Sequence, residues 1–321
     1  MTYEHPTYEE LMNRTDAPAG STWGIFGEQD RRGTINLIGQ KQISEAGTLV
    51  REGRVFGLDY PLTAFDPPLA PTRKPPVQTV FSRHAAHRDE SLLLYPQASS
   101  QIDGLRHRRH AQHGFYNRVS DAEADQANAL GINDWAEAGI AGRGLLLDLE
   151  GFFAQTGRRM DHERGQVFTL RDLREACDFF GIHPHLGDLL LINSGWAAWY
   201  LDLDANGKRA VRDAKRYSGL DQDRNIIAWC WDSGVAGIFS DCYALEALPA
   251  KVDTDFYDDL DHGMMHQELL ALMGYPIGEL WRLEDLARHC RTQEQWEFML
   301  TVKPLNMPGG VGSPCNAMAI M

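Results

Sequence analysis

Two apolar runs, LLLDL at residues 145–149 and DLLLIN at 188–193, constrain this chain more than any other feature. Neither alternates polar with apolar, so a strand made from either is buried on both faces, as in a sheet covered by helices. The sequence supplies the helices. Leu170, Leu173, Cys177 and Phe180 form one apolar stripe, with Thr169 as its N-cap and Gly181 as its stop. Residues 41–53, 223–234 and 264–274 give three more, each ending at a glycine. Strands are predicted at 55–60, 144–149, 188–194, 235–240 and 298–302. Strand and helix alternate from about residue 144 to 245, which is the pattern of an α/β fold. The 321 residues are read as one domain, residues 1–321, with residues 1–60 wrapping or completing the core.

Composition removes several function classes. The net charge of −14 argues against nucleic-acid binding and against an anionic membrane surface. No apolar run approaches the ~20 residues that span a bilayer. The polar, acidic start MTYEHPTYEELMNRT does not read as a signal peptide. Cys177, Cys230, Cys242, Cys290 and Cys315 are scattered and include no C-x-x-C pair, which suits thiols in a reducing cytoplasm. A cytoplasmic protein acting on a small molecule is therefore expected. Residues 61–76, PLTAFDPPLAPTRKPP, read as an extended irregular arm.

Several motif-like stretches reduce to loops. PGGVGSP at 308–314 lacks the spacing of a dinucleotide fingerprint and reads as a turn. Asp202, Asp204, Asn206, Gly207 and Asp213 match part of a calcium loop, but Arg209 stands where an apolar residue belongs. A solvated loop is the expected form. The acidic run 253–263 is also expected to be a solvated loop, with Asp261 and His262 near any site that the 264–274 helix serves.

The stretch LYPQASSQIDGLRHRRHAQHGFYN, residues 94–117, carries the candidate chemistry. In an extended segment Gln97, Ser99, Gln101 and Asp103 share one side. A turn after Asp103 swings His107 back toward them. Carboxylate, imidazole and amide oxygen are ligands for hard or borderline cations. The alternative is a polar strand entering a surface loop, with Arg106, Arg108 and Arg109 marking exposure.

Long segments of the chain resemble the cyclase-type metal-dependent hydrolase family, which includes bacterial kynurenine formamidases and isatin hydrolases. The resemblance runs through WGIFGEQDRRGTINLIGQKQISEAGTLVREGRVFGLDYPL from Trp23, GIAGRGLLLDLEGF from Gly139 and LGDLLLINSGW from Leu186. It continues through GVAGIFSDCYALEALP from Gly234, MHQELLALMGYPIGELWRLEDLA from Met265 and FMLTVKPLNMPGGVGSPCNAMAI from Phe298. The family signature His-x-Gly-Thr-His-x-Asp-x-Pro-x-His falls on residues 97–107. Asp103 and His107 match it. Gln97 and Gln101 replace its first two histidines, Ser99 and Ser100 replace Gly-Thr, and Leu105 replaces Pro. His266 and Glu279 match the family's later histidine and glutamate, one residue further apart than in the formamidases.

The resemblance implies a swivelling β/β/α-type domain with a mixed, partly barrel-like sheet flanked by helices. It implies a hydrolase of an amide, lactam or related carbonyl that uses one or two divalent cations, and an assembly that is a homodimer or homotetramer. Gln101, Asp103 and His266 become the expected ligands of Mn²⁺ or Zn²⁺, and two lost imidazoles weaken a zinc site and favour harder ions. His107 and Glu279 become the expected catalytic groups, with His107 as general base. Gln97, Arg106, His110, His113, Tyr116 and Trp196 are expected to line the substrate pocket. An exposed basic loop remains the alternative for Arg106, His110 and His113. Loss of the two histidines keeps two other readings open: a metal-independent lactone hydrolase, cyclase or dehydratase on the same fold, and a non-catalytic small-molecule binding protein.

Overall fold

The computed structural model describes residues 5–256 and 263–321. Asp261 and His262 lie outside the described residues. Thirteen strands occur among them: β1 (Val55–Gly57), β2 (Val77–Phe81), β3 (Asp89–Leu93), β4 (Gln101–Asp103), β5 (Ile140–Asp148), β6 (Val167–Phe168), β7 (Asp188–Asn193), β8 (Gly219–Leu220), β9 (Val235–Ser240), β10 (Ile277–Glu279), β11 (Glu297–Val302), β12 (Gly312–Pro314) and β13 (Ala317–Ile320).

Nine of them form one mixed, partly barrel-like sheet in the order β1-β13-β11-β5-β7-β9-β10-β4-β12. The two opening runs lie at its centre. β5 pairs with β7, β7 with β9 and β9 with β10, all parallel. Every residue of β7 and β9 is buried, as a sheet covered on both faces requires. Antiparallel strands extend both flanks: β11, β13 and β1 on one, β4 and β12 on the other. These flanking strands were harder to read because they are short or half-buried. β11 alternates intermediate and buried residues, and β4, β10 and β12 hold three residues each.

The helices match the apolar stripes, with corrections. The helix Leu170–Phe180 has the Thr169 cap, and Gly181 ends it with φ +65°. The helix expected at 41–53 covers only Gln40–Gly47, and the strand expected at 55–60 only Val55–Gly57. The stretch expected as a solvated, calcium-like loop is also corrected. It forms the helix Ala205–Ala214, whose N-cap Asp204 accepts a hydrogen bond from Gly207 N at 2.7 Å. No residue of that helix is buried, and Asp204, Asn206 and Gly207 are residues that turns also use.

The N-terminal segment closes the end of the 264–274 region. Trp23 Nε1 donates to Ala271 O (2.7 Å), Thr22 N to Leu272 O (3.0 Å), Thr22 Oγ1 to Met273 O (2.9 Å) and Thr34 N to Gly274 O (3.0 Å). These donors satisfy carbonyls that a helix end leaves open. The approach depends on Gly33. Its φ is +61°, and a Cβ there would lie 2.0 Å from Gly274 O. Gly33→Ala is therefore expected to destabilise the fold by at least ~2 kcal/mol. Urea unfolding of the variant measures this, and a midpoint equal to the parent's would show that this closure contributes nothing.

Candidate metal centre

β4 brings the signature stretch into the sheet. Its register sets Gln101 opposite Glu279 and Asp103 opposite Ile277 on β10. Side chains at 101 and 103 thus share one face, as the extended reading of this stretch requires. The chain turns after Asp103, where His107 N donates to Gly104 O at 2.8 Å. His107 Nε2 then lies 3.8 Å from Asp103 Oδ2.

Gln97 bridges the two. Its Nε2 lies 3.2 Å from Asp103 Oδ1 and 3.0 Å from His107 Nδ1. A carboxylate can only accept, so the amide presents its NH₂ group here. His107 Nδ1 is then an acceptor, and the ring proton of the neutral form sits on Nε2, toward Asp103. Burial holds the His107 imidazole below its ordinary pKa, with Asp103 opposing.

Gln101 takes the other side. Its Nε2 donates to Glu279 Oε2, while its Oε1 is buried with no hydrogen-bond partner. His266 Nε2 lies 3.0 Å from Glu279 Oε1. His266 Nδ1 lies 2.5 Å from Glu246 Oε1. Burial opposes a charge on His266, but the two carboxylates prevail and push its pKa up to about 10. Glu279 moves upward, through burial first and the nearby Asp103 charge as well.

Glu246 was not singled out from the sequence. It is fully buried, and it also accepts from Met265 N (2.7 Å), His266 N (3.2 Å) and Gln222 Nε2 (3.0 Å). It fixes the backbone and the ring of His266 together. The only advance signal was a glutamate inside an otherwise apolar run, ALEALP.

The expected helix at 264–274 contains a π-helix, Gln267–Leu272. Met273 N bonds Glu268 O at 2.9 Å, five residues back. A π-turn takes up one more residue than an α-turn. His266 before it and Glu279 after it, on β10, both reach the cluster.

Asp103, His266 and Glu279 each offer one ligand atom, all within 4.8 Å of one another, and all three residues are buried. Two carboxylates, one imidazole and the orphaned Gln101 Oε1 make a donor set that suits a divalent cation. The residues present therefore fit a metal.

Gln97, Gln101, Asp103, His107, His266 and Glu279 thus converge. The other five candidates go to separate contacts. Arg106 Nη1 donates to Gly309 O, and its Nη2 lies 3.3 Å from Asp125. His110 lies 3.6 Å from Glu268 Oε1 and stacks on His113 at 4.7 Å. The His113 ring meets the edge of Trp23 at 6.5 Å. Tyr116 is fully buried and donates to Asp30 Oδ2 at 3.0 Å. Trp196 stacks on Tyr200 at 5.3 Å inside a second apolar cluster.

Asp241, just past β9, links this region to the end of β7. Its carboxylate accepts from Ser194 N (2.8 Å) and Ser194 Oγ (2.7 Å). Burial outweighs these bonds and pushes its pKa up to about 7. A carboxyl raised in the folded state favours folding while protonated. Stability is thus highest below the ordinary value near 3.8 and is lost as pH rises toward about 7. Asp241→Asn should remove that loss, up to roughly 4 kcal/mol for three pKa units. Denaturation of both proteins at pH 4 and pH 7 measures it. Equal pH slopes would show that Asp241 is charged throughout.

The family profile described as "Putative cyclase" matches residues 45–247. A solved structure described as a novel cyclase is similar over 94% of this chain and 99% of its own, at 30% identity and TM-score 0.80. Isatin hydrolase A from Labrenzia aggregata, bound to benzyl benzoate, aligns over 83% of this chain and 93% of its own, at 15% identity and TM-score 0.55. An isatin hydrolase bound to the product analogue thioisatinate aligns over 88% and 99%, at 15% identity and TM-score 0.56. At those identities the two isatin hydrolases show a shared fold. No curated protein sequence matches the chain.

Proposed function

The chain belongs to the cyclase family, and from that premise we propose that it is a metal-dependent hydrolase of an amide, lactam or related cyclic carbonyl compound. The single observation that carries this reading is the buried cluster of Asp103, His266 and Glu279, with Gln101 Oε1 beside it. These four residues would hold a divalent cation, and Mn²⁺ and Zn²⁺ both suit the mixed oxygen and nitrogen set. Such a cation supplies Lewis acidity to a carbonyl oxygen and makes water a stronger acid.

The protein groups do the rest. Glu246 accepts the Nδ1 proton of His266 and thereby aims Nε2 at the cluster. Asp103 and Glu279 supply the negative charge. His107 is the proton carrier. Burial lowers its pKa while Asp103 opposes that shift, and its Nδ1 is the position that takes a proton once the Gln97 amide yields it. Asp103 Oδ2 then faces the Nε2–H of the charged ring. The isatin hydrolases on this fold direct the substrate choice toward isatin-like fused lactams, and the resemblance to the formamidases adds N-formyl aromatic amines.

The test is metal content and turnover measured together. The parent protein should bind close to one equivalent of Mn²⁺ or Zn²⁺ by plasma mass spectrometry and open isatin or deformylate N-formyl aromatics. Asp103→Ala should lose the metal and at least ~100-fold of the activity. An Asp103→Ala protein with full activity on a confirmed substrate would falsify the assignment. Restoring one imidazole with Gln101→His should tighten Zn²⁺ by about tenfold or more, read by competition with a chromogenic chelator.

One observation favours a second reading. His266, charged between Glu246 and Glu279, already supplies a cation to the cluster. A metal-independent hydrolase or dehydratase could then use His107 as its acid and base. Activity that survives exhaustive chelation selects this reading, and activity restored by added Mn²⁺ rejects it.

A further inference from the structure

The Pro-rich stretch 61–76 forms neither helix nor strand. It is anchored near its start, where Phe65 and Leu69 are buried in the second apolar cluster with Tyr60, Trp196 and Tyr200. Phe65 stacks on Tyr200 at 6.0 Å and meets the edge of Tyr60 at 5.5 Å. A tight turn follows, in which Arg73 N donates to Ala70 O at 3.1 Å. The arm thus delivers Arg73 to a set place. Its Nη1 donates to Gln97 O, and the side chain of that same Gln97 bridges Asp103 and His107.

Arg73 is half-buried and stands at the rim of an anionic cluster. Burial is the largest influence on the pKa values of Glu279, His107 and Tyr243, and the Arg73 charge acts on all three. These groups belong to β10, to the turn after β4 and to the loop after β9. Among the described residues, no carboxylate lies within ion-pair distance of Arg73. Arg106 and Arg109, on the signature stretch itself, are instead paired with Asp125 at 3.3 Å and Asp121 at 3.2 Å. A partly buried guanidinium normally has an anion, and its planar fork matches a carboxylate through two parallel hydrogen bonds.

We infer that Arg73 is a substrate-binding residue, and that it takes a carboxylate which the substrate carries beside the bond to be hydrolysed. The inference rests on the hydrolase reading for the reacting bond and adds the class of molecule, an aromatic amide or lactam bearing an anionic group. Asp103 and Glu279 by themselves repel an anion that approaches the centre. An unpaired cation on the arm reverses that repulsion at the rim and fixes which end of the molecule enters first.

The experiment is a calorimetric titration of the full chain with two probes, 2-aminobenzoate and 2-aminobenzamide, which share the ring and the amine and differ in the carboxylate. The parent should favour 2-aminobenzoate by about tenfold or more. Arg73→Gln should bind the two with equal affinity. Arg73→Lys should recover part of the preference, because an ammonium keeps the charge without the fork. A parent that shows no preference, or that binds neither probe, overturns the inference. So does a preference that survives in Arg73→Gln, which would give the carboxylate to another group. A loss that falls equally on both probes overturns it too, because it marks Arg73 as a clamp for Gln97 and nothing more. The titration needs neither turnover nor bound metal. A hydrolase reading that fails on metal content and activity therefore leaves this preference in place, and a failed Arg73 assignment leaves metal and activity in place.

Discussion

One imidazole held between two buried carboxylates organises the candidate centre. Glu246 and Glu279 both reach His266, from opposite ring nitrogens. Burying charged groups is costly unless they are paired and hydrogen-bonded, and here the pairing spans three separate pieces of chain. Glu246 comes from the loop after β9, His266 from the start of the π-helix region, and Glu279 from β10. Glu246 also receives two backbone amides and the Gln222 side chain. The ring therefore has little freedom to turn, and its Nε2 is delivered to Asp103 and Glu279 by the fold itself. Loss of Glu246 would leave the buried His266 ring with one partner fewer and its Nδ1 without an acceptor.

An irregular helix lies between two of these residues. The π-helix Gln267–Leu272 follows His266 and precedes β10, which carries Glu279. The carbonyls of residues 271 to 274 lie at its end. The N-terminal segment meets them with Trp23, Thr22 and Thr34. A feature at the start of the chain thus supports the geometry of a residue near its end.

The fold was legible where burial was strongest. LLLDL and DLLLIN belong to the central parallel strands β5 and β7, because a strand apolar on both faces has few places to go. The flanking strands β4, β10, β12 and β13 were not, since three or four residues carry no readable period. The helix Ala205–Ala214 hid behind Asp204, Asn206 and Gly207, residues that turns also use. In the site, Asp103, His107, His266 and Glu279 were found through the family signature, and the structure brings them together. Glu246 was missed because its function lies in what it touches across the fold, which no local spacing records. Tyr116 and Trp196 show the converse. Aromatic residues near a candidate motif read as pocket lining, yet here one clamps Asp30 and the other fills a core.

The two glutamines give the centre its asymmetry. An imidazole nitrogen in place of Gln97 would offer a lone pair, whereas the Gln97 amide offers protons and spends them on Asp103 Oδ1 and His107 Nδ1. That half of the centre is thereby filled by hydrogen bonds internal to the protein. Gln101 divides differently. Its NH₂ is committed to Glu279, which leaves Oε1 buried and without a hydrogen-bond partner. The anionic and nitrogen donors of the cluster, Asp103, Glu279 and His266, lie within 4.8 Å of one another and form one set.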